Sequence, residues 1–256
     1  MRYEVMLPHQ IRHAIEENWP VVLPAGVLEF HAEHLAVGTD TVPLVRMLEL
    51  LEKEMNLVIL PPFYYGAASY AVKGPEGSGT IHVDADAIAP FARQLFRSCL
   101  RIGFRNMHIF LAHQTENFVA GMPTDLAFKF AARQEIFAFL EKEHGEGWWG
   151  GKGMEDYYQK HAQGGNPFNW IQVHPLTATG LRKELQGGGH ADIIETSMMM
   201  ALCPEGVDMK HFSDEFWYAK TATQASATIG REITEACLAD LRKVLNGATG
   251  QGAANG

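Results

Sequence analysis

The segment VVLPAGVLEFHAEHLAVGTDT, residues 21–41, concentrates ionisable side chains in a stretch that is otherwise small and apolar. Glu29 and His31 are two residues apart, so in extended backbone their side chains point to the same side. Asp40 follows nine residues after His31, which leaves enough chain for a loop to return to the same point. Carboxylate oxygens and imidazole nitrogens form a donor set that suits Zn²⁺, Mn²⁺ or Fe²⁺.

The same residues also allow a less specific interpretation. Glu and His are ordinary in polar surface loops, and Asp40 stands just before a helix-forming segment, where it could serve only as a helix cap. His34 points away from His31 in an extended segment, so a hydrogen-bonded structural role is the simpler explanation for it. The apolar neighbours argue against a surface loop. Ionisable groups among apolar neighbours are expected to be half-buried, and buried charges need partners or a metal.

Two further polar clusters follow apolar segments of the chain. The run NMHIFLAH ends in His113, and Glu116 follows three residues later. His190 and Glu195 lie where a Gly-rich loop leads into the helix-forming run that ends at residue 202. Functional groups gather at the carboxyl ends of the strands in a parallel α/β sheet. The three clusters therefore predict one composite site.

Alternating strands and helices must position these clusters. Short apolar runs predict strands at 20–24, 57–62, 106–113 and 170–175, and apolar periodicity predicts helices at 8–18, 41–55, 87–104, 118–143 and 222–246. Alternation at this spacing indicates a three-layer α/β/α fold with a mostly parallel central sheet. We expect one domain over residues 1–246 and a flexible C-terminal tail at 247–256.

Composition excludes several classes of protein. The chain has 256 residues, 46% hydrophobic and 20% charged, as in ordinary globular proteins. Its formal charge of −9 argues against a nucleic-acid partner. The N-terminal segment has no uninterrupted apolar stretch resembling a signal peptide, and no run reaches the roughly 18 apolar residues that a membrane span needs. The three cysteines are widely spaced and odd in number, which fits a reducing compartment. We expect a cytoplasmic protein that acts on a small molecule and has no membrane partner.

Four motifs, in order, resemble those of the creatininase family. LPAGVLEFHAEHLAVGTD resembles the family's LPxGSxEQHGxHLPxxTD and keeps the spacing from Glu29 to Asp40. PPFYYG followed by GSGTIHV resembles PPxxYG…FPGTI, and FLAHQTEN stands where the family carries NGHGGN. GHADIIETSMMMAL followed by PEGVDM resembles HAGxxETSLML…PELVxM. The resemblance covers about residues 18–240 and implies the creatininase-like α/β fold.

The resemblance also implies a site for two divalent metal ions, Zn, Mn or Fe. Glu29, His31 and Asp40 correspond to metal ligands, with Asp40 in the position that bridges the two ions, and His113 corresponds to the next ligand. Two adjacent divalent ions activate a bridging water at neutral pH and polarise a carbonyl group.

The last carboxylate of the implied metal site is Glu195 or, as the alternative, Glu116. Glu195 is favoured because the ETS motif keeps its pattern, whereas HQTEN departs from NGHGGN. His190 corresponds to a proton-transfer histidine of the family, which could supply the proton that the leaving nitrogen needs. We therefore expect His190 and Glu195 to be the catalytic residues.

The implied activity is metal-dependent hydrolysis of a C–N bond, in a cyclic amide or formamide, of a small polar substrate. Creatinine itself is disfavoured, because residues 187–189 are glycines where creatinine-hydrolysing relatives carry aromatic and acidic contacts. Two alternatives are a metal-dependent C–C hydrolase or isomerase of a cyclic diketo sugar or inositol derivative, and a non-catalytic family member.

The assembly implied by the resemblance is a homohexamer. Residues 145–153, GEGWWGGKG, are candidates for a lid or a subunit contact, and the aromatic loop at 63–70 is a further candidate contact, because aromatic residues are enriched at interfaces.

Overall fold

The computed structural model describes residues 1–162, 165–181, 185 and 189–247. These residues contain a four-stranded, fully parallel sheet in the order β2-β1-β3-β4. The strands are β1 Val21–Ala25, β2 Val58–Ile59, β3 Met107–Leu111 and β4 Ile171–Pro175. The predicted α/β fold with a parallel central sheet is confirmed.

Six of the seven helices in the described residues match predicted positions with shifted ends, and the short helix at 157–162 was not predicted. These seven helices are α1 Pro8–Glu16, α2 Val42–Leu51, α3 Ala85–Ile102, α4 Pro123–His144, α5 Tyr157–Ala162, α6 Ile193–Leu202 and α7 Ala227–Gly247. The predicted helix at 118–143 begins later, at Pro123, whose fixed φ suits the first helical position. The predicted start of the last helix at 222 was wrong, because Trp217–Gln224 forms a 3₁₀ helix and α7 follows it.

The predicted strand at 57–62 is shorter in the structure. Only Val58–Ile59 pairs as a strand with β1. Pro61 and Pro62 follow closely, and proline has no N–H with which to continue a ladder of backbone hydrogen bonds. Strand β2 therefore ends early at the edge of the sheet.

Two apolar cores lie on the two faces of the sheet, because side chains alternate along each strand. Val21 and Leu23 of β1 pack in a first core that contains residues of α1, α3 and α4. Val22, between them, packs in a second core that contains residues of α2 and α7. Helices therefore cover both faces, and the three-layer arrangement is confirmed.

The carboxyl ends of β1 and β3 lie side by side, with Ala25 paired to Leu111. The loop that leaves β1 returns close to its own start at Gly26. A Cβ at Gly26 would lie 2.3 Å from Thr41 Oγ1 and 3.2 Å from the Asp40 carbonyl oxygen, so only glycine allows this approach. Gly26 thus lets the chain bring Asp40 back beside the end of β1.

The segment 145–153 divides between the core and the surface. Trp148 is buried in the first core, where its ring meets Tyr157 edge to face, whereas Trp149 is about half exposed. The expected lid or subunit contact therefore has only Trp149 of this tryptophan pair available. The expected tail at 247–256 lies outside the described residues, apart from Gly247, which ends α7. Within the described part of the chain, no helix is long and apolar enough to cross a membrane.

Candidate metal centre

Three segments converge at the carboxyl edge of the sheet and bring ionisable side chains together. The loop between β1 and α2 supplies three of them, the loop after β3 supplies one, and the start of α6 with the turn before it supplies two: Glu29, His31, Asp40, His113, His190 and Glu195. The side chains of His31 and Asp40 are 0% and 4% exposed, so the centre of the cluster is shielded from solvent. Every predicted site residue except Glu116 takes part.

Asp40 lies at the middle of this cluster and turns its two oxygens toward different partners. Its Oδ1 is 3.4 Å from His31 Nε2, and its Oδ2 is 3.3 Å from His113 Nδ1. His31 Nε2 is also 3.6 Å from Glu195 Oε2, and His113 Nδ1 is 3.6 Å from Glu29 Oε2. Two groups of potential ligands therefore share Asp40. One is Glu29, Asp40 and His113, and the other is His31, Asp40 and Glu195.

Several polar atoms of the cluster are buried without a hydrogen-bond partner. These atoms are His31 Nε2, Asp40 Oδ2 and His113 Nε2. Unpaired buried polar atoms are rare because they lose their hydration without compensation. Within each group of three residues, the imidazole nitrogens and carboxylate oxygens lie within 4.8 Å of one another, close enough to bind one cation, so the residues present fit a divalent metal.

A backbone contact orients His31 for metal binding. Its Nδ1 lies 2.9 Å from the Glu29 carbonyl oxygen, which can only accept, so Nδ1 donates this hydrogen bond. A ring that keeps its proton on Nδ1 and gives up the proton on Nε2 to a metal offers a lone pair at Nε2. This lone pair faces Asp40 and Glu195, and a hydrogen bond from the other ring nitrogen is how ligating histidines are usually oriented.

Burial sets the electrostatics of the carboxylates. Desolvation raises the pKa of Glu29 to about 7 and that of Glu195 to about 8, and in both cases the Asp40 charge adds to the rise. Burial also opposes ionisation of Asp40, but the two histidines outweigh it and hold the pKa of Asp40 below its usual value. For His31, burial lowers the pKa, and the carboxylates of Asp40 and Glu195 more than offset this and raise it to about 10. The cluster therefore attracts positive charge strongly.

His190 lies against the same cluster with a defined tautomer. Its Nε2 donates to the Phe30 carbonyl oxygen at 2.7 Å, and its ring stacks on His31 with centroids 4.2 Å apart. Nδ1, which then carries a lone pair, is 3.8 Å from Glu29 Oε2. Burial, together with the neighbouring His31, lowers the pKa of His190 to about 4, so the ring is neutral. Glu29, His31 and His190 form a third group of potential ligands, which the sequence did not indicate.

Glu195 and Glu116 differ clearly in their surroundings. Glu195 accepts a hydrogen bond from the Ala191 backbone N–H and faces His31, whereas Glu116 is exposed and contacts the side-chain amide of Asn117. Asp192 caps α6, since its Oδ1 accepts from the backbone N–H groups of residues 194 and 195. The cap aligns the first turn of α6, which carries Glu195.

His34 is separate from the ligand groups. It is buried, its Nε2 lies 3.1 Å from Thr196 Oγ1, and its ring meets Phe212 edge to face. The contact joins the loop after β1 to α6. His34 therefore has the structural surroundings expected for it.

A cavity of about 590 Å³ reaches the cluster. Its polar walls include side chains of the ligand groups, Glu116 and the hydroxyl residues Ser69 and Thr115. A small organic molecule can therefore reach the carboxylates and His190 from this cavity.

A family model described as "Creatininase: Creatinine amidohydrolase" matches residues 5–245. Over 203 residues the chain is 24% identical to 3-dehydro-scyllo-inosose hydrolase of Thermotoga maritima. The aligned region covers 79% of this chain but only 56% of that protein. Over 199 residues it is 23% identical to creatinine amidohydrolase of Pseudomonas putida. The aligned region covers 76% of this chain and 68% of that protein.

Solved structures share the fold at low sequence identity. A structure described as "Creatininase Mn" superposes with a TM-score of 0.69 at 16% identity, over 96% of this chain and 97% of that one. A mutant creatininase described as "Zn-Zn type" gives a TM-score of 0.69 at 16% identity, over 96% of both chains. The architecture around the cluster is therefore one that known proteins also adopt.

Proposed function

This chain belongs to the creatininase family of metal-binding hydrolases, and from that premise we propose that it hydrolyses a C–N bond in a cyclic amide or formamide. The observation that carries the proposal is the position of Asp40. Its two oxygens face two separate groups of nitrogen and carboxylate donors, as a carboxylate shared by two ions requires.

The proposed ligands divide into two sets around Asp40. Glu29, Asp40 and His113 would hold one ion, and His31, Asp40 and Glu195 would hold the other. When bound, two divalent ions lower the pKa of a bound water, polarise a carbonyl and stabilise developing negative charge. Glu195 is proposed in preference to Glu116 because it faces His31 at 3.6 Å.

His190 is proposed to move the proton. The Phe30 carbonyl holds the proton on Nε2, so Nδ1 is the free position that faces the site. A neutral ring at that place can take up a proton at Nδ1 and give it to the leaving nitrogen. The stack on His31 holds the ring plane in position.

Zinc and manganese are the first candidates for the metal, with iron as the third. Related structures are described as manganese and zinc forms. Borderline nitrogen and hard oxygen donors accept all three ions.

Metal removal tests the proposal. Dialysis against a chelator should abolish hydrolysis across a panel of cyclic amides and formamides, and Zn²⁺ or Mn²⁺ should restore it with two ions per chain. Metal content measured by mass spectrometry gives the stoichiometry, and release of an amine reports C–N cleavage. Hydrolysis that is unchanged in the metal-free protein would refute the metal-dependent mechanism.

A second candidate is C–C hydrolysis or isomerisation of a cyclic diketo inositol derivative. It is favoured by the match to an inosose hydrolase, which is as similar to this chain as the creatinine amidohydrolase is. The same metal-polarised carbonyl would serve both reactions. Turnover of such a ketone without release of an amine, and no turnover of any amide, would select this candidate. No turnover of either class would support a non-catalytic family member.

A further inference from the structure

The cavity that reaches the metal-ligand side chains has an apolar part for which the proposed chemistry has no use. Its volume is about 590 Å³. Part of its wall is formed by aliphatic, thioether and thiol side chains, which we call the apolar lobe: Leu176, Ala178, Ile194, Met198, Ile233 and Cys237.

Three elements build the apolar lobe. Leu176 and Ala178 follow the end of β4, and the others come from α6 and α7. Ile194 and Met198 are four residues apart and so share one face of α6. Ile194 directly precedes Glu195, which places the lobe beside the ligand groups. The wall is backed by the second core, since its side chains belong to that core or pack against it.

The lobe residues have no charge and no reactive group. Burial raises the pKa of Cys237 to about 12, so its thiol stays protonated and acts as a small apolar wall group. Four of the six lobe residues are partly exposed, and water covers them in the absence of a ligand: Leu176, Ala178, Ile194 and Met198. Replacing that water with hydrocarbon is favourable.

We propose that the apolar lobe binds a neutral alkyl or aryl arm of the substrate, so that the substrates are amides or formamides with an apolar substituent. For the reacting end of the substrate, this inference rests on the proposed function. For the apolar arm, it rests on the apolar lobe alone. A bare polar ring beside Asp40 would leave the apolar walls facing water. Each methylene group that enters the lobe is expected to raise affinity about fourfold.

Straight-chain alkyl hydroxamic acids, from methyl to hexyl, test the arm separately from turnover. Their hydroxamate group is a metal chelator, and their affinity for the zinc-loaded protein is measured by calorimetry. Met198→Gln places an amide in the lobe at nearly constant side-chain length. Met200→Gln is the matched control, because Met200 lies on the same helix and is not part of the cavity wall.

The expected result is a rise of about fourfold per methylene group in the wild type and in Met200→Gln. Met198→Gln should bind the hexyl compound at least about tenfold more weakly and the methyl compound equally well. Equal affinity across the series in the wild type, or an unchanged series in Met198→Gln, would overturn the inference.

The two proposals can fail separately. N-alkylformamides of the same chain lengths report turnover with the zinc-loaded protein. A chain-length dependence of hydroxamate affinity without formamide turnover would support the lobe and refute the amide hydrolase. If the protein takes up no zinc, the affinity of N-alkylformamides of increasing chain length is measured with the metal-free protein. An affinity that does not change with chain length overturns the inference, and an affinity that rises with chain length supports it.

Discussion

Gly230 should be essential for placing Glu195, because α7 packs directly against the backbone of α6 at this residue. A Cβ at Gly230 would lie 1.8 Å from the Ser197 carbonyl oxygen, and ordinary contact begins near 3.4 Å. In Gly230→Ala the two helices must therefore separate by about 1.6 Å. Overpacking of this kind costs about 1–3 kcal/mol, and alanine's better helix propensity returns only about 1 kcal/mol.

The separation of α6 and α7 should also weaken the proposed metal site of His31, Asp40 and Glu195, because α6 carries Glu195. A ligand displaced by about 1 Å typically costs about 100-fold in rate, so we expect lower zinc occupancy and lower activity in Gly230→Ala. Urea unfolding measures the stability loss, and mass spectrometry measures the metal. Gly247→Ala, at the end of α7 with no atom within 4 Å of its added Cβ, is the control. Two fully bound zinc ions and unchanged unfolding in Gly230→Ala would refute the reasoning.

Three other predictions concern the shared carboxylate, the choice of the last ligand and two buried histidines. Asp40→Asn should lose both ions and all hydrolysis, and retention of two ions per chain would contradict the bridging role. Glu195→Gln should retain one ion and Glu116→Gln both; the reverse pattern would assign the ligand to Glu116. Burial lowers the pKa of His108 to about 3 and of His174 to about 4, so the unfolded chain binds protons that the native protein excludes below pH 6.5. The contribution of these histidines to the free energy of unfolding is therefore fully present above pH 6.5 and falls toward pH 4 by up to about 1.4 kcal/mol per pH unit for each histidine. Urea unfolding at pH 7 and pH 5 measures this fall. A His174→Gln variant with the full wild-type pH dependence would contradict it.

The order of strands and helices could be predicted from local patterns, because burial on one face imposes a period that a short window contains. The first and last residues of these elements could not be predicted in this way. The edge strand at Val58–Ile59 ends early before two prolines, and Trp217–Gln224 adopts a 3₁₀ helix where the apolar pattern favoured the start of α7. Element ends depend on packing and on backbone hydrogen bonds to distant segments, which local periodicity does not report.

The sequence by itself determined the ligand types: the spacing of Glu29, His31 and Asp40 in one loop predicted a metal site. The resemblance to the creatininase family implied the bridging position of Asp40 and the ligand role of His113. Only the tertiary structure decided which side chains meet there. It brought Glu195 to His31 and left Glu116 exposed, and it stacked His190 on His31 with one nitrogen held by a backbone carbonyl. The physical reason is distance along the chain: a loop's own spacing places its donors, whereas contacts across 160 residues depend on how α6 packs on α7 and on the sheet.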